Sequence, residues 1–314
     1  MSFPAAAGYR DIGSTDMKYI PEINSLKWLA KFFKHTVFGE IANRDHEEEI
    51  SDYGDTVNIR ALPDITIRTY RKGMTLIYEQ PVSTAVQLLI DQGAYWGFTR
   101  NKVDDKQTDM KDYATQWGDV AMKQTKEKID LAVLGNVYSS ASAYNKGGAA
   151  GLISANVNLG IDGGVSVALT KADVLDKFAE CAQVLGEQEI PEDGRWAVIP
   201  EWIATLIFGS DLKGADFSGL SQSIMMNGKL PRQVAGFTLY KSNQLSTGAD
   251  ASANTCTRVL FGTKHAISFA SQITINENLI NPLDFGTLHR GLQVYGYKVV
   301  VPSALGVLFC RNGS

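Results

Sequence analysis

Thr56-Val57-Asn58-Ile59-Arg60-Ala61-Leu62-Pro63-Asp64-Ile65-Thr66-Ile67-Arg68-Thr69-Tyr70-Arg71-Lys72-Gly73-Met74-Thr75-Leu76-Ile77-Tyr78-Glu79 is the stretch on which the fold turns. Apolar Val57, Ile59, Ile65, Ile67, Leu76 and Tyr78 alternate with Thr, Asn and Arg, the period of two that belongs to strands, and Arg71-Lys72-Gly73 supplies a turn. The reading is a long β-hairpin over 56–80 with charge along it and at its tip. Two strands alone are marginal in water, so such a ribbon needs a surface to lie on, and a neighbouring copy of the chain is one such surface. Its basic members Arg60, Arg68, Arg71 and Lys72 serve either as edge charges that block unwanted pairing or as contacts to nucleic acid.

On the N-terminal side, residues 1–20 are rich in Ala, Gly and Ser without periodicity, as expected of a mobile or partner-ordered arm. Pro21 then stands where a first helical turn tolerates it. Ile23, Leu26, Trp28, Leu29, Phe32 and Phe33 form a broad apolar stripe at helical spacing, which packs either on its own chain or on a neighbour. The acidic run 45–49 reads as solvated surface.

On the C-terminal side, strands at 86–90 and 95–99 lead into the longest expected helix, 108–134, with Thr108 or Asp105 near its start. Met110, Tyr113, Ala114, Trp117, Val120 and Ala121 mark one face of it. Such a helix is about 40 Å long, and Lys126 and Asp130 are spaced for an i,i+4 ion pair on its solvated side. Between 139 and 164 the composition shifts to Gly, Ala, Ser and Asn, a boundary. Beyond it, Thr170 and Asp173 resemble a capping box, and Val174, Phe178, Cys181, Ala182 and Leu185 share a helical face that Gly186 should end. Pro191-Glu192-Asp193-Gly194 turns into a strand at 195–199, and Pro200 opens a short helix, 202–208. Strands at 234–240, 259–261 and 266–275, then two β-rich runs around Pro302-Ser303, complete an α+β chain without internal repeats.

With 314 residues and 44% hydrophobic content, the chain can bury a substantial core. No leader pattern opens it and no apolar run approaches the ~18 residues that span a bilayer, so a soluble protein made inside the cell and independent of membranes is expected. Cys181, Cys256 and Cys310 are odd in number and lack metal-ligand spacing, which favours buried free thiols. A net charge of −4 gives no global attraction to phosphate backbones, though it is compatible with a container that must let DNA in and out.

Catalytic motifs are missing. His46-Glu47 lacks the second histidine of a zinc-binding helix, no Gly-x-Ser-x-Gly elbow occurs, and neither Gly228-Lys229 nor Gly160-Ile161-Asp162-Gly163-Gly164 matches a phosphate or dinucleotide loop. Asp104, Asp105 and Asp109 suit a helix dipole better than a cation. The expectation is no catalysis, no cofactor and no metal. The competing possibility is a soluble enzyme whose catalytic residues are dispersed in sequence.

Several segments, in order, resemble the major capsid proteins of tailed bacteriophages, whose fold is shared by herpesvirus shells and encapsulins. They are Gly54-Asp55-Thr56-Val57-Asn58-Ile59, Tyr78-Glu79-Gln80-Pro81, Leu89-Ile90-Asp91-Gln92, Asp104-Asp105-Lys106-Gln107, the run from Pro191 through Trp196 to Pro200, and Gly262-Thr263-Lys264-His265-Ala266 through Gly291 to Gly296. The resemblance covers about residues 20–310. It implies an N-terminal arm (1–55), an extended hairpin loop (56–80), a peripheral domain (81–168 and 259–314) with a spine helix at 108–134, and an axial domain (169–258). It further implies hexamers and pentamers closing into an icosahedral head around phage double-stranded DNA, located in the virion after synthesis in the host cytoplasm. The implied partners are further copies of the chain, a separate scaffolding protein, a portal and decoration proteins. An encapsulin-like compartment is the alternative within the same fold. The expected inter-subunit contacts are Trp28, Phe32, Ile65, Ile67, Arg68, Arg71, Lys72 and Leu76.

Overall fold

The computed structural model describes residues 31–45, 56–63, 65–108, 113–210 and 233–313. In chain order its elements are α1 (Phe38–Ile41), β1 (Thr56–Arg60), β2 (Ala85–Leu89), β3 (Gln92–Asn101), α2 (Lys102–Gln107), α3 (Tyr113–Asn136), β4 (Val167–Leu169), α4 (Val174–Glu187), β5 (Arg195–Ile199) and α5 (Glu201–Gly209). There follow β6 (Gln233–Val234), β7 (Phe237–Lys241), β8 (Thr247–Ala249), β9 (Thr255–Thr263), β10 (Ile267–Ile280), β11 (Gly286–Val299) and β12 (Leu305–Asn312). Helices and strands mix along the chain, as the α+β reading expects.

The strands form three sheets. A seven-stranded sheet runs β4-β12-β9-β5-β7-β6, with β8 also pairing with β9; a three-stranded sheet runs β10-β11-β3; and β1 pairs with β2 alone. In the larger sheet β5, Arg-Trp-Ala-Val-Ile, is buried at every residue, which explains an unbroken apolar run instead of an alternating one. Its neighbours β7 and β9 flank it in parallel and antiparallel sense. The buried stripe of α4, Val174, Phe178, Cys181 and Leu185, joins the same core as Ile203 and Ile207 of α5.

Helix α3 joins the two larger sheets. Near its N-terminal end, Trp117 meets Phe98 of β3 edge-on at 5.5 Å and Tyr113 at 5.0 Å, while Phe98 stacks with Trp96 at 5.7 Å. Near its C-terminal end, Ile129, Val133 and Leu134 are buried in the main core. At one point a glycine is demanded: Gly160 has φ +79°, and a Cβ there would lie 2.2 Å from the carbonyl oxygen of Phe309 on β12.

Several expectations are corrected. The helix read over the stripe ending at Phe33 does not reach its last turn, since 31–37 carries no helix; Trp28 and most of the 45–49 run lie outside the described residues. The long helix runs Tyr113–Asn136, and Thr108 is not its start but the C-cap of α2, in which Asp105 sits. Gly186 does not end α4, which continues to Glu187 before Glu189 takes φ +59°. The capping box is not made, because the Thr170 hydroxyl donates to Asp173 Oδ2 at 2.5 Å and Asp173 caps nothing with its side chain. The strand expected at 234–240 is two, folded at Ala235-Gly236 with both φ positive, the geometry of a tight hairpin turn. Within 259–314, β10 and β11 build the three-stranded sheet, and β12 pairs with β4 and β9 in the larger one.

Candidate assembly surface

The quoted stretch does not form the ribbon that its alternation suggests. β1 pairs not with 74–79 but with β2, from Thr56 opposite Leu89 to Arg60 opposite Ala85, and residues 65–80 carry no strand. The period of two therefore does not mark a ladder here. The two sides of the resulting loop are tied at the root by Ala61 N–H donating to the Thr84 carbonyl (2.8 Å) and the Ser83 hydroxyl donating to the Ala61 carbonyl (2.7 Å). Farther out they are joined through one carboxylate. Glu79 accepts from Thr66 N–H at 2.6 Å and stands 3.7 Å from Arg68, and the Thr66 N–H is the main cause that holds its carboxyl below the ordinary value. A turn closes the tip, with Met74 N–H donating to the Arg71 carbonyl (3.1 Å) and Gly73 at φ +87°.

The root is packed and the loop is bare. Leu88, Ile90 and Ala270 form a small buried cluster, with Val57, Ile59 and Val294 against it, which fixes β1 and β2 to the three-stranded sheet. Beyond it, Leu62 is 95% exposed and Ile67 91%, and Ile65, Tyr70, Leu76 and Tyr78 are also exposed. An unladdered loop this long, carrying large exposed apolar residues along its sides, is unusual in a compact domain. Burying one Leu or Ile side chain contributes about 1.5–3 kcal/mol, so several together can drive association.

The structure places Ile65, Ile67, Arg68, Arg71, Lys72 and Leu76 together on this loop, all exposed, with Arg71 and Lys72 on the tip turn and Arg68 beside Glu79. Phe32 is elsewhere, 94% exposed on the segment that leads into α1.

Two further apolar surfaces escape the sequence reading. At the β10–β11 turn, Ile280, Leu283 and Phe285 stand exposed. The turn is held by Asn101 Nδ2 donating to Asp284 (2.8 Å) and Lys102 N–H donating to the Phe285 carbonyl (2.9 Å). The signal was present in Leu279-Ile280-Asn281-Pro282-Leu283-Asp284-Phe285, a turn with too many apolar residues for solvent. Across the three-stranded sheet, Tyr95, Leu292 and Ile275 lie opposite one another and form an exposed row.

Among the described residues no three or more His, Cys, Asp or Glu side chains are grouped to hold a metal ion, and no helix is long and apolar enough to cross a membrane. Asp105 is engaged by Arg100 at 2.8 Å and by the Tyr113 hydroxyl, and Asp109 lies outside the described residues. All three cysteines are buried and free, and burial pushes the Cys181 and Cys310 thiols up.

No family model matches the sequence, and no curated protein matches it. Solved structures do. One from Mycobacterium phage Che8 is 24% identical, with 94% of this chain and 98% of that one covered at a TM-score of 0.72. The capsid structure of cyanophage P-SCSP1u is 16% identical, covering 98% and 100% at 0.73. The mature capsid of bacteriophage PhiM1 is 13% identical, covering 99% of each chain at 0.73.

Proposed function

We propose that this chain, which has the tailed-phage major capsid protein fold, is the shell subunit of a phage head and acts by assembly, not catalysis. The observation that carries the proposal is the loop at 61–84: rooted in a packed cluster, without a strand ladder beyond its base, and coated with exposed apolar side chains. In isolation such a loop costs solubility without return; on a neighbouring copy its side chains are buried.

In this reading residues 1–55 are the N-terminal arm, the 56–80 stretch with its continuation to β2 is the extended loop, and α3 is the spine of a peripheral domain built around the three-stranded sheet. Residues 169–258 form the core of an axial domain that recruits β12. Copies associate as hexamers and pentamers through Ile65, Ile67, Leu76 and Phe32, with Trp28 on the arm. Arg68, Arg71 and Lys72 help to set register. Many modest contacts per copy then act together, so no single interface need be strong. The net charge of −4 suits a wall that encloses double-stranded DNA without gripping it. A scaffolding protein, a portal and decoration proteins are the further partners, and the virion is the destination.

Deletion of residues 65–76 tests the proposal. The expected product melts cooperatively near the parent temperature, because the deleted side chains are exposed, yet sediments only as small species and forms no closed particles. Normal particles from the deletion would overturn it.

A further inference from the structure

We infer that the N-terminal segment pivots between Thr36 and Val37, with Asp130 of α3 as its fixed anchor and Lys123 and Glu127 as a releasable rail. Positions 123, 127 and 130 are spaced four and three apart and therefore share one face of α3. The segment meets them in the same order. Lys123 Nζ lies 4.9 Å from the centre of the Phe33 ring, Lys34 N–H donates to Glu127, and the N–H groups of Val37 and Phe38 donate to Asp130 Oδ1 at 2.9 and 2.8 Å. Both carboxylates grip main-chain N–H groups, so they fix a path and not a sequence.

The anchors are unequal. Asp130 has no exposed surface, and its other oxygen accepts from Gln244 Nε2 (3.1 Å), itself buried, in the turn after β7. From Val37 onward the segment stays engaged: Val37 and Ile41 are fully buried, Phe38 packs on Phe269 at 5.1 Å, and Asn43 exchanges backbone hydrogen bonds with Ile267 and Phe269 of β10. Upstream, Phe32, Lys34 and His35 are exposed, and a groove of about 890 Å³ is lined on one side by Lys34, His35 and Glu40 and on the other by Glu201, Lys241 and Asn243. Within a few residues the support of the segment falls from two hydrogen bonds to a buried carboxylate, itself held by Gln244, to a surface cation–π contact and one hydrogen bond to a surface carboxylate, the gradient expected at a hinge. Its use rests on the shell reading: one chain must send its arm along different paths in pentamers and hexamers, and a fixed pivot with a peelable rail permits that without repacking the core.

Amide hydrogen exchange on the full-length, unassembled chain tests this. Val37 and Phe38 should be protected far more than 31–36. Asp130→Ala should lower their protection by at least about tenfold, the loss of one hydrogen bond to a charged group. Asp130→Asn, which keeps an acceptor oxygen, should retain most of it. Lys123→Ala with Glu127→Ala should speed exchange only upstream of Val37. Uniform protection over 31–45 in the parent chain, or equal rates on both sides of Thr36, would overturn the hinge whether or not Asp130→Ala folds. Microscopy reports separately on the shell: the exchange gradient without particles upholds the hinge and defeats the shell reading.

Discussion

Asp130 and Glu187 are both carboxylates that hold backbone N–H groups, and their surroundings drive them in opposite directions. Burial is the larger influence on Asp130 and raises its pKa against the pull of Val37 and Phe38. At Glu187 the Ser154 N–H, then Gln183 and the Ile153 N–H, lower the carboxyl from its ordinary 4.5 to about 2. A depressed carboxylate stabilises the fold fully above its unfolded pKa and loses that contribution as pH falls through the folded one. The melting-temperature gap between the parent and Glu187→Gln should therefore be level above about pH 5 and shrink between pH ~4.5 and ~2; a gap indifferent to pH would contradict the assignment. Neither role was legible in the sequence. Asp130 sits four residues after Lys126, which suggests a surface pair, whereas its real donors come from the N-terminal segment and from Gln244, and no spacing rule links such distant positions.

At the scale of elements, reading succeeded where local chemistry and burial agree. The strand expected at 195–199 is β5 with the same limits, because the turn before it and the proline after it punctuate a run buried throughout. It failed where pairing decides. The alternation does mark a strand at Thr56–Arg60, but only the three-dimensional fold could reveal that β1 takes β2 as its partner and leaves the intervening loop unladdered. The rings of Tyr113 and Trp117 on α3 were visible, though neither its buried residues Ile129, Val133 and Leu134 nor its division of labour between the two sheets was. That division yields a prediction: Trp117→Ala removes both edge contacts to Phe98 and Tyr113 from a partly exposed site and should cost about 1–3 kcal/mol. Calorimetry should find the melting point lowered by several degrees. An unchanged melting point would mean that the N-terminal part of α3 does not depend on these rings.

At the scale of the whole molecule, the chain passes repeatedly between its two larger sheets, and its last strand closes the sheet that β4 and β5 began. Outside these sheets a single copy leaves large apolar side chains uncovered on the loop after β1, the β10–β11 turn and the approach to α1. The mix of helices and strands was legible because the hydrophobic period changes along the chain; the apolar β10–β11 turn carried a signal in residues 279–285, though only the fold reveals that these side chains stand in solvent. Electron microscopy of the purified full-length chain, alone and with a scaffolding protein supplied, tests the central claim most directly. Closed icosahedral shells, with the 65–79 loop of each subunit covered by a neighbour, are the predicted result. A chain that stays a 34.2 kDa monomer under both conditions, with that loop in solvent, would contradict it.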